Sequence, residues 1–363
     1  MDYWIWLSQL PGVGSILQKR LLEVFGSPKN IHKASVLDLI EVEGIGKQIA
    51  EKIVQFRVNE VSQILTNIEK LGLQVVTIEN KIYADVFACK QTPILFYYRG
   101  RLPPARGMAI VGARRCTYEA KQATEEIATF IAQNPLSVIS GLAKGVDSYA
   151  HTSSLKVGGH TTAILANGVD ICYPKEHLRL FREIIARNGA IVSAHPPGTR
   201  PHPKFFVERN AHISAWSTDV IVVQASEKSG SLTTARFALE QGRNLFVVPH
   251  SIYVTEARGS NQLLEKGANP YLGSHSLKLE GLQPSSGSLV EHFPATPPQH
   301  SPLEKSIICY LRNVQTITVE ALAQHLQLSE VNLSPVLLTL EMNGYIKVRG
   351  TSISPTSLLV DQQ

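Results

Sequence analysis

Ser140-Gly141-Leu142-Ala143-Lys144-Gly145 follows the branched apolar pair Val138-Ile139 and precedes a helical pattern that runs from Val146 toward Leu155. A strand, a small-residue turn and a helix start leave backbone N–H groups aimed at whatever sits above the turn, and the helix end favours an anion there. Gly141, Ala143 and Gly145 keep side-chain bulk low, so a phosphate can approach the backbone closely. Lys144 adds a positive charge. A tight strand–helix connection with no ligand looks the same, and the segment alone does not separate the two.

Three further loops in the same part of the chain carry polar clusters. Gly112-Ala113-Arg114-Arg115 follows Ile110-Val111 and combines a small-residue turn with two guanidinium groups. After Ile191-Val192 comes a long polar stretch with Pro196-Pro197-Gly198-Thr199 and then Lys204-Phe205-Phe206-Val207-Glu208-Arg209-Asn210. Ser229-Gly230-Ser231-Leu232-Thr233-Thr234 follows Val222-Val223 and stands immediately before a helical run at 235–241.

The elements that must position these loops alternate. Branched or apolar runs at 108–111, 136–139, 162–165, 190–192, 220–223 and 245–248 are separated by helical patterns. That alternation predicts an α/β fold, a Rossmann-like, mostly parallel sheet with helices on both faces. Ligands of open α/β sheets bind beyond the carboxyl ends of the strands, so the four clusters are expected to converge. Cationic side chains, aromatic faces and two helix starts suit a phosphodiester with bases free to stack, meaning single-stranded nucleic acid or a nucleotide. No GxGxxG follows the first core strand and no GxxxxGK[ST] occurs, which argues against a nicotinamide enzyme or a nucleoside triphosphatase.

Composition permits this reading without requiring it. The 363 residues carry a formal net charge of +5 and are 44% hydrophobic. No apolar run reaches the ~18–20 residues that span a bilayer, and the opening MDYWIWLSQL lacks the basic start of a secretory signal. The four cysteines show no CxxC spacing, which fits a reducing, cytoplasmic setting and no zinc site. The histidines have no metal-ligand spacing either, and no cofactor or membrane is expected.

Four zones and a linker follow from the pattern. Residues 1–70 read as short helices, with Leu10-Pro11-Gly12-Val13-Gly14 and Val42-Glu43-Gly44-Ile45-Gly46 each ahead of a helical run. Paired helix–hairpin–helix (SAM-like) modules have this spacing, and their hairpin N–H groups can contact DNA phosphates without reading bases. Packing against each other or against a partner protein is the other use of such hairpins. Residues 71–106 read as an adapter, 107–275 as the Rossmann-like core and 276–300 as a Ser/Pro/Gly-rich linker. Residues 301–363 read as a winged helix. Its third helix has no Lys or Arg but contains Glu330, Glu341 and an internal Pro335, expected to kink the helix or delay its start. That charge pattern favours a protein-contact or regulatory role over reading a duplex.

VGAR at 111–114, SGLAKGVDSYAH at 140–151, the Tyr173-Pro174 pair, PPGT at 196–199, FVERN at 206–210, SGSLTTARFALEQGR at 229–243 and GSNQLLEKGA at 259–268 follow the order of motifs in the DprA/Smf family, which the chain resembles. The resemblance covers the whole central domain, and the two flanking units match the family's common extended architecture. It implies a protein that binds single-stranded DNA during DNA uptake and natural transformation, helps load the RecA recombinase, and forms a homodimer through the Rossmann-like domain. By position, it implies DNA contacts from Gly112, Arg114 and Arg115. In the second loop it implies Ser140, Gly141, Ala143, Lys144 and Gly145, and further on Lys204, Phe206, Arg209 and Asn210, with Ser229, Gly230 and Ser231 at the last loop. Arg114, Lys144, Lys204 and the loop N–H groups would hold phosphates, and a phenylalanine would stack a base. Arg209 has a structural alternative, pairing with Asp147 or Asp219, and Asp147 reads as a helix-start residue that organises the loop.

The chain departs from the family's pattern at Ala211 and His212, where another arginine and an apolar residue usually follow Arg-Asn. Ala194-His195 stands where an acid is common, and His250 replaces a glycine. The fold also resembles that of lysine-decarboxylase-like nucleotide ribohydrolases, the alternative reading. Arg236 stands where their catalytic glutamate would be, and Glu240 lies a turn further on, so the expectation is a binding protein rather than an enzyme.

Overall fold

The computed structural model describes residues 1–104, 106–277, 301–312, 314, 316–342 and 345–356. The N-terminal unit is made of helices α1 (Asp2–Ser8), α2 (Ser15–Phe25), α3 (Pro28–Lys33), α4 (Val36–Ile40), α5 (Lys47–Gln55) and α6 (Ser62–Lys70). The two expected hairpins precede α2 and α5, and each turns on a left-handed glycine, Gly12 at φ +80° and Gly44 at φ +90°. Ile5, Trp6, Leu7, Leu21, Ile31, Leu39 and Ile53 are buried between these helices. The unit is tied to the rest of the chain by Lys19, whose Nζ donates to the carbonyls of Phe87 and Cys89, both at 2.6 Å. Burial pulls that amine down to about 8.

A nine-stranded sheet follows, made of β1 (Gln74–Thr77), β2 (Leu95–Gly100), β3 (Gly107–Val111), β4 (Val138–Ser140), β5 (Thr161–Leu165), β6 (Ala190–Ser193), β7 (Ser217–Val222), β8 (Asn244–Val247) and β9 (Asn269–Pro270). Its order is β1-β2-β6-β5-β4-β3-β7-β8-β9. Strands β3 to β9 run parallel, while β2 pairs antiparallel with β6 and β1 with β2. The adapter strands therefore extend one edge of the core sheet.

Helices α7 (Ala84–Ala88), α8 (Tyr118–Gln133), α9 (Val146–Lys156), α10 (Leu178–Ala186), α11 (Pro203–Ala215), α12 (Ser231–Glu240) and α13 (Arg258–Glu265) accompany the sheet. Successive residues of a strand point to opposite faces, and both faces are covered. Met108 and Ile110 pack with Ile127 and Ile131 of α8, whereas Ala109 and Val111 pack with Ile213 of α11 and Ala235 of α12.

Two loops of the sequence reading are helical. The polar stretch around 204–210 lies inside α11, which starts at Pro203 with His202 as its cap. Proline's fixed φ suits the first helical position. Ser231 to Thr234 likewise belong to the first turn of α12. Proline and short polar side chains favour turns as much as helix starts, so a helix that opens on them is read as loop from the sequence.

The C-terminal unit has helices α14 (Pro302–Leu311), α15 (Val319–His325) and α16 (Glu330–Met342), and strands β10 (Ile317–Thr318), β11 (Ile346–Arg349) and β12 (Ser352–Pro355) in the order β10-β12-β11. Leu311, Leu322, Leu333, Leu340 and Ile353 form its core. Helix α16 runs through Pro335, so of the two expected effects, a kink or a delayed start, the delayed start does not occur. The unit rests on the larger domain through ion pairs of Lys121 with Glu341 and Arg179 with Glu304. From residue 278 onward, the expected linker lies outside the described residues.

Candidate nucleic-acid interface

From β3 the chain proceeds to β4, β5 and β6 on one side, and β7 then pairs with the other side of β3. The loops after β3 and β7 diverge there, opening a crevice beyond their carboxyl ends. A cleft of about 410 Å³ occupies that point. Gly112, Ala113, Arg114 and Arg115 line it from the turn after β3, Ala143 and Asp147 from the β4 side, and Phe206, Val207, Arg209 and Asn210 from α11. Ser226, Ser229, Gly230, Ser231 and Thr233 close it from the segment after β7, together with Glu256.

The turns after β3 and β4 interlock. The Val146 N–H donates to the Ala113 carbonyl at 3.2 Å. Gly145 sits at φ +74°, and a Cβ there would stand 2.3 Å from the same carbonyl oxygen. Only glycine meets both conditions. Leu142 also adopts a positive φ, +59°, a conformation that costs a non-glycine residue free energy. It is held by burial of its side chain and by the His177 Nδ1–H, which donates to its carbonyl at 2.9 Å.

Several expected contact residues turn inward. Ser140 is 0% exposed and its hydroxyl donates to the Ile110 carbonyl at 2.7 Å, tying β4 to β3. The Gly141 and Ala143 N–H groups, expected to be free for a phosphate, donate to the Asp147 carboxylate at 3.1 and 3.3 Å. A carboxylate supplied by the loop's own helix satisfies them first. Burial pushes the Asp147 carboxyl upward, opposed by the Arg209 charge and these N–H groups.

Arg209 is 6% exposed and donates from Nη1 to the carbonyls of Gly141 at 2.5 Å and Ile164 at 2.8 Å. It braces the loop from beneath through these carbonyls rather than through an ion pair with Asp147 or Asp219, and Asp219 is occupied by Thr218 and Asn244. The Asn210 amide donates to the Gly230 carbonyl at 3.1 Å and joins α11 to α12. The hydroxyls of Ser229 and Ser231 lie 2.6 Å apart at the start of α12.

Two expected cations lie outside the cleft lining. Lys144 pairs with Glu176 at 2.5 Å, and the bond holds the Glu176 carboxyl below its usual range. Lys204 is exposed and stands 3.6 Å from Glu208, one turn along α11. Of the three arginines that line the cleft, Arg209 is spent on the Gly141 and Ile164 carbonyls, and Arg114 and Arg115 form no ion pair among the described residues. The Arg114 guanidinium lies 6.0 Å from the centroid of Phe206, and that of Arg209 lies 5.8 Å from it on the same ring. This arrangement can take a phosphate and a π-face side by side.

A family model described as DNA recombination-mediator protein A matches residues 74–279, and a helix-hairpin-helix motif model matches residues 7–65. Protein Smf of Synechocystis sp. is 36% identical over 283 residues, which cover 76% of this chain and 71% of that protein. The chain belongs to the DNA recombination-mediator protein A family.

DNA processing protein DprA of Bacillus subtilis is 36% identical over 213 residues, 58% of this chain and 71% of that protein. The X-ray structure of DNA processing protein A (DprA) from Streptococcus pneumoniae superposes with a TM-score of 0.65 at 27% identity, covering 76% of this chain and 96% of that one. The resemblance read from the motifs and the family shown by the comparisons are the same. The family match begins at β1, so the adapter strands belong to the matched region together with the parallel strands.

The residues read as departures from the family's pattern are held by local packing, with His212 Nδ1 and His195 Nε2 buried and without a hydrogen-bond partner among the described residues. Ala211 and His212 are buried on α11, where the His212 ring meets Phe96 at 5.4 Å and its Nε2–H donates to the Gln91 carbonyl at 3.3 Å. Burial drives that imidazole down to about 3. His250 donates from Nε2 to the Val223 carbonyl at 2.7 Å, and the His195 ring lies against Phe205 with centroids 4.1 Å apart and planes tilted by 38°. Sequence reasoning missed Glu256, an acid on the cleft wall that accepts from the Thr255 hydroxyl at 3.1 Å. It also gave no role to Asp170, whose carboxylate accepts the Gly198 N–H at 2.9 and 3.0 Å and locks the loop after β5 to PPGT. A lone acid in a loop carries no sequence signal of its partner. No group of three His, Cys, Asp or Glu that could hold a metal occurs among the described residues.

Proposed function

We propose that this protein binds single-stranded DNA in the switch-point cleft, without chemistry on it, and presents the strand for loading of RecA during DNA uptake. The observation that carries the reading is the pairing of Arg114 with Phe206 on one wall of that cleft. A guanidinium beside a half-buried ring that lines the cleft serves a phosphate and a base of the same nucleotide, the combination that sequence-tolerant single-strand binders use. The family to which the chain belongs supports DNA as the ligand.

In this reading Lys144 and Lys204 flank the cleft and attract phosphates along its rim. Gly112, Gly141, Ala143 and Gly145 shape the turns, while Ser229, Gly230 and Ser231 form the far wall. The helix–hairpin–helix unit adds sequence-independent phosphate contacts, and the C-terminal unit acts as a winged helix used for protein contact. The protein works in the cytoplasm as a homodimer joined through its Rossmann-like domain. No helix among the described residues is long and apolar enough to cross a membrane.

Fluorescence anisotropy with labelled single-stranded DNA, duplex and mononucleotide at several salt concentrations tests the reading. Single strands are expected to bind most tightly, with affinity falling as salt rises. Equal affinity for duplex and single strand would overturn it, and release of a free base from a nucleotide would overturn its non-enzymatic part. RecA loading is tested by adding the protein to single-stranded DNA coated with single-strand-binding protein and following RecA filament formation. An unchanged rate refutes that step.

A further inference from the structure

Tyr173 lies beyond the cleft lining, yet its ring centroid stands 5.7 Å from that of Phe206, the planes tilted by 60°. It is 44% exposed although it sits in a loop braced by several hydrogen bonds. Asp170 binds the Gly198 N–H through both carboxylate oxygens, at 2.9 and 3.0 Å. The Gly168 N–H donates to the Thr199 carbonyl at 2.9 Å, and the Asn167 amide donates to the Ile171 carbonyl at 2.6 Å. A ring held out in this way loses little conformational freedom when something stacks on it, which favours binding.

The charges beside Tyr173 suit a polyanion. Lys175 follows Pro174 in the chain, and Lys144 reaches the same short helical turn through Glu176. The Lys144 side chain is 55% exposed and its partner Glu176 half-buried, so a phosphate can reach the ammonium from solvent. Phe206 lines the cleft and Tyr173 touches Phe206, so the aromatic surface continues from the cleft outward over the rim.

We infer that Tyr173 is a stacking platform for a base of the bound strand next to the nucleotide held at Arg114 and Phe206, with Lys144 taking the phosphate on that side. The inference rests on the single-strand reading of the cleft.

The test uses the full chain with Tyr173→Ala, Tyr173→Phe and Tyr173→Trp, and a labelled oligothymidylate. Tyr173→Ala is expected to bind about tenfold more weakly, the effect of one lost base–aromatic contact, and Tyr173→Phe to bind as the parent does. The slope of log affinity against log salt stays unchanged in Tyr173→Ala, because no phosphate contact is removed. With an oligonucleotide made of abasic sites, the parent and Tyr173→Ala bind equally. In Tyr173→Trp, binding quenches more tryptophan emission than in the parent.

Parent-like affinity of Tyr173→Ala, or absence of the extra quenching, refutes the platform and leaves the cleft reading standing. A fallen salt slope in Tyr173→Ala also refutes it, since the loss would then be electrostatic. Failure of the parent to bind single strands removes both.

Discussion

Arg209 and Gly141 fit each other only because Gly141 has no side chain. The Arg209 Nη1 donates to the Gly141 carbonyl at 2.5 Å, and a Cβ on Gly141 would stand 2.2 Å from that same nitrogen. Beneath the loop, Arg209 supplies the countercharge to Asp147, and Asp147 in turn accepts the Gly141 and Ala143 N–H groups. Loop, α9 and α11 are thus fastened at one point under the cleft.

Gly141→Ala is therefore expected to destabilise the fold by about 1–3 kcal/mol, the usual cost of forcing extra volume into a packed site. Arg209→Ala is expected to cost more, about 3–5 kcal/mol, because it leaves Asp147 buried without its countercharge. Thermal melting checks both, and a parent-like melting temperature for Arg209→Ala would contradict the bracing role.

Arg114 and Lys204 differ in placement, and their effects on binding should differ too. Arg114→Ala is expected to weaken single-strand binding strongly and to reduce the salt slope by about 0.7, the share of one phosphate on a single strand. Lys204→Ala, exposed outside the cleft lining and already beside Glu208, should lower affinity only a few-fold. Anisotropy over a salt series measures both quantities. No loss from the Arg114→Ala, Lys204→Ala double change would exclude the cleft as the binding site.

Buried histidines are expected to lower stability in acid. Burial holds His151 and His212 down to about 3 and His195 to about 4, against about 6.5 in the unfolded chain. The unfolded state binds more protons below pH 6.5, so stability is full above that pH and is lost as pH falls toward the folded values. Each of the two more deeply buried rings then costs about 2 kcal/mol at pH 5. The melting temperature is expected to drop between pH 7 and pH 5, and the drop should be smaller in His212→Phe. A pH-independent melting temperature across that range would rule this out.

The ion pair of Lys121 and Glu341 joins the C-terminal unit to the core with side chains 9% and 8% exposed. Lys121 also donates to the Val348 carbonyl at 2.9 Å, and Glu341 accepts the Val348 N–H at 2.8 Å. Lys121→Met alone is expected to weaken docking by about 3–5 kcal/mol through the uncompensated carboxylate, and a second change, Glu341→Leu, should restore most of it. Hydrogen exchange of α16 reports the difference, and additive effects of the two changes would refute the coupling.

Much of the framework was legible because it depends on local chemistry. The branched runs at 108–111 and 162–165 are strands because they are buried on both faces. The hairpin glycines mark their turns because only a positive φ closes them. Motifs in family order pointed to the family that the comparisons then showed. Harder to read were the first turns of α11 and α12, where a proline, a hydroxyl or a lysine looks the same in a helix start as in a loop.

The sequence by itself determined which loops end the strands and which residues they carry, since alternation and glycine placement are local properties. Only the tertiary structure decided how SGLAKGVDSYAH is used. Its Gly141 and Ala143 N–H groups meet Asp147, Ser140 is sealed against Ile110, and Lys144 is turned to Glu176, while Arg114 and Phe206 come together at the switch point. The physical reason is that a buried donor takes the nearest acceptor the fold supplies, and which acceptor is nearest depends on strands distant in the chain.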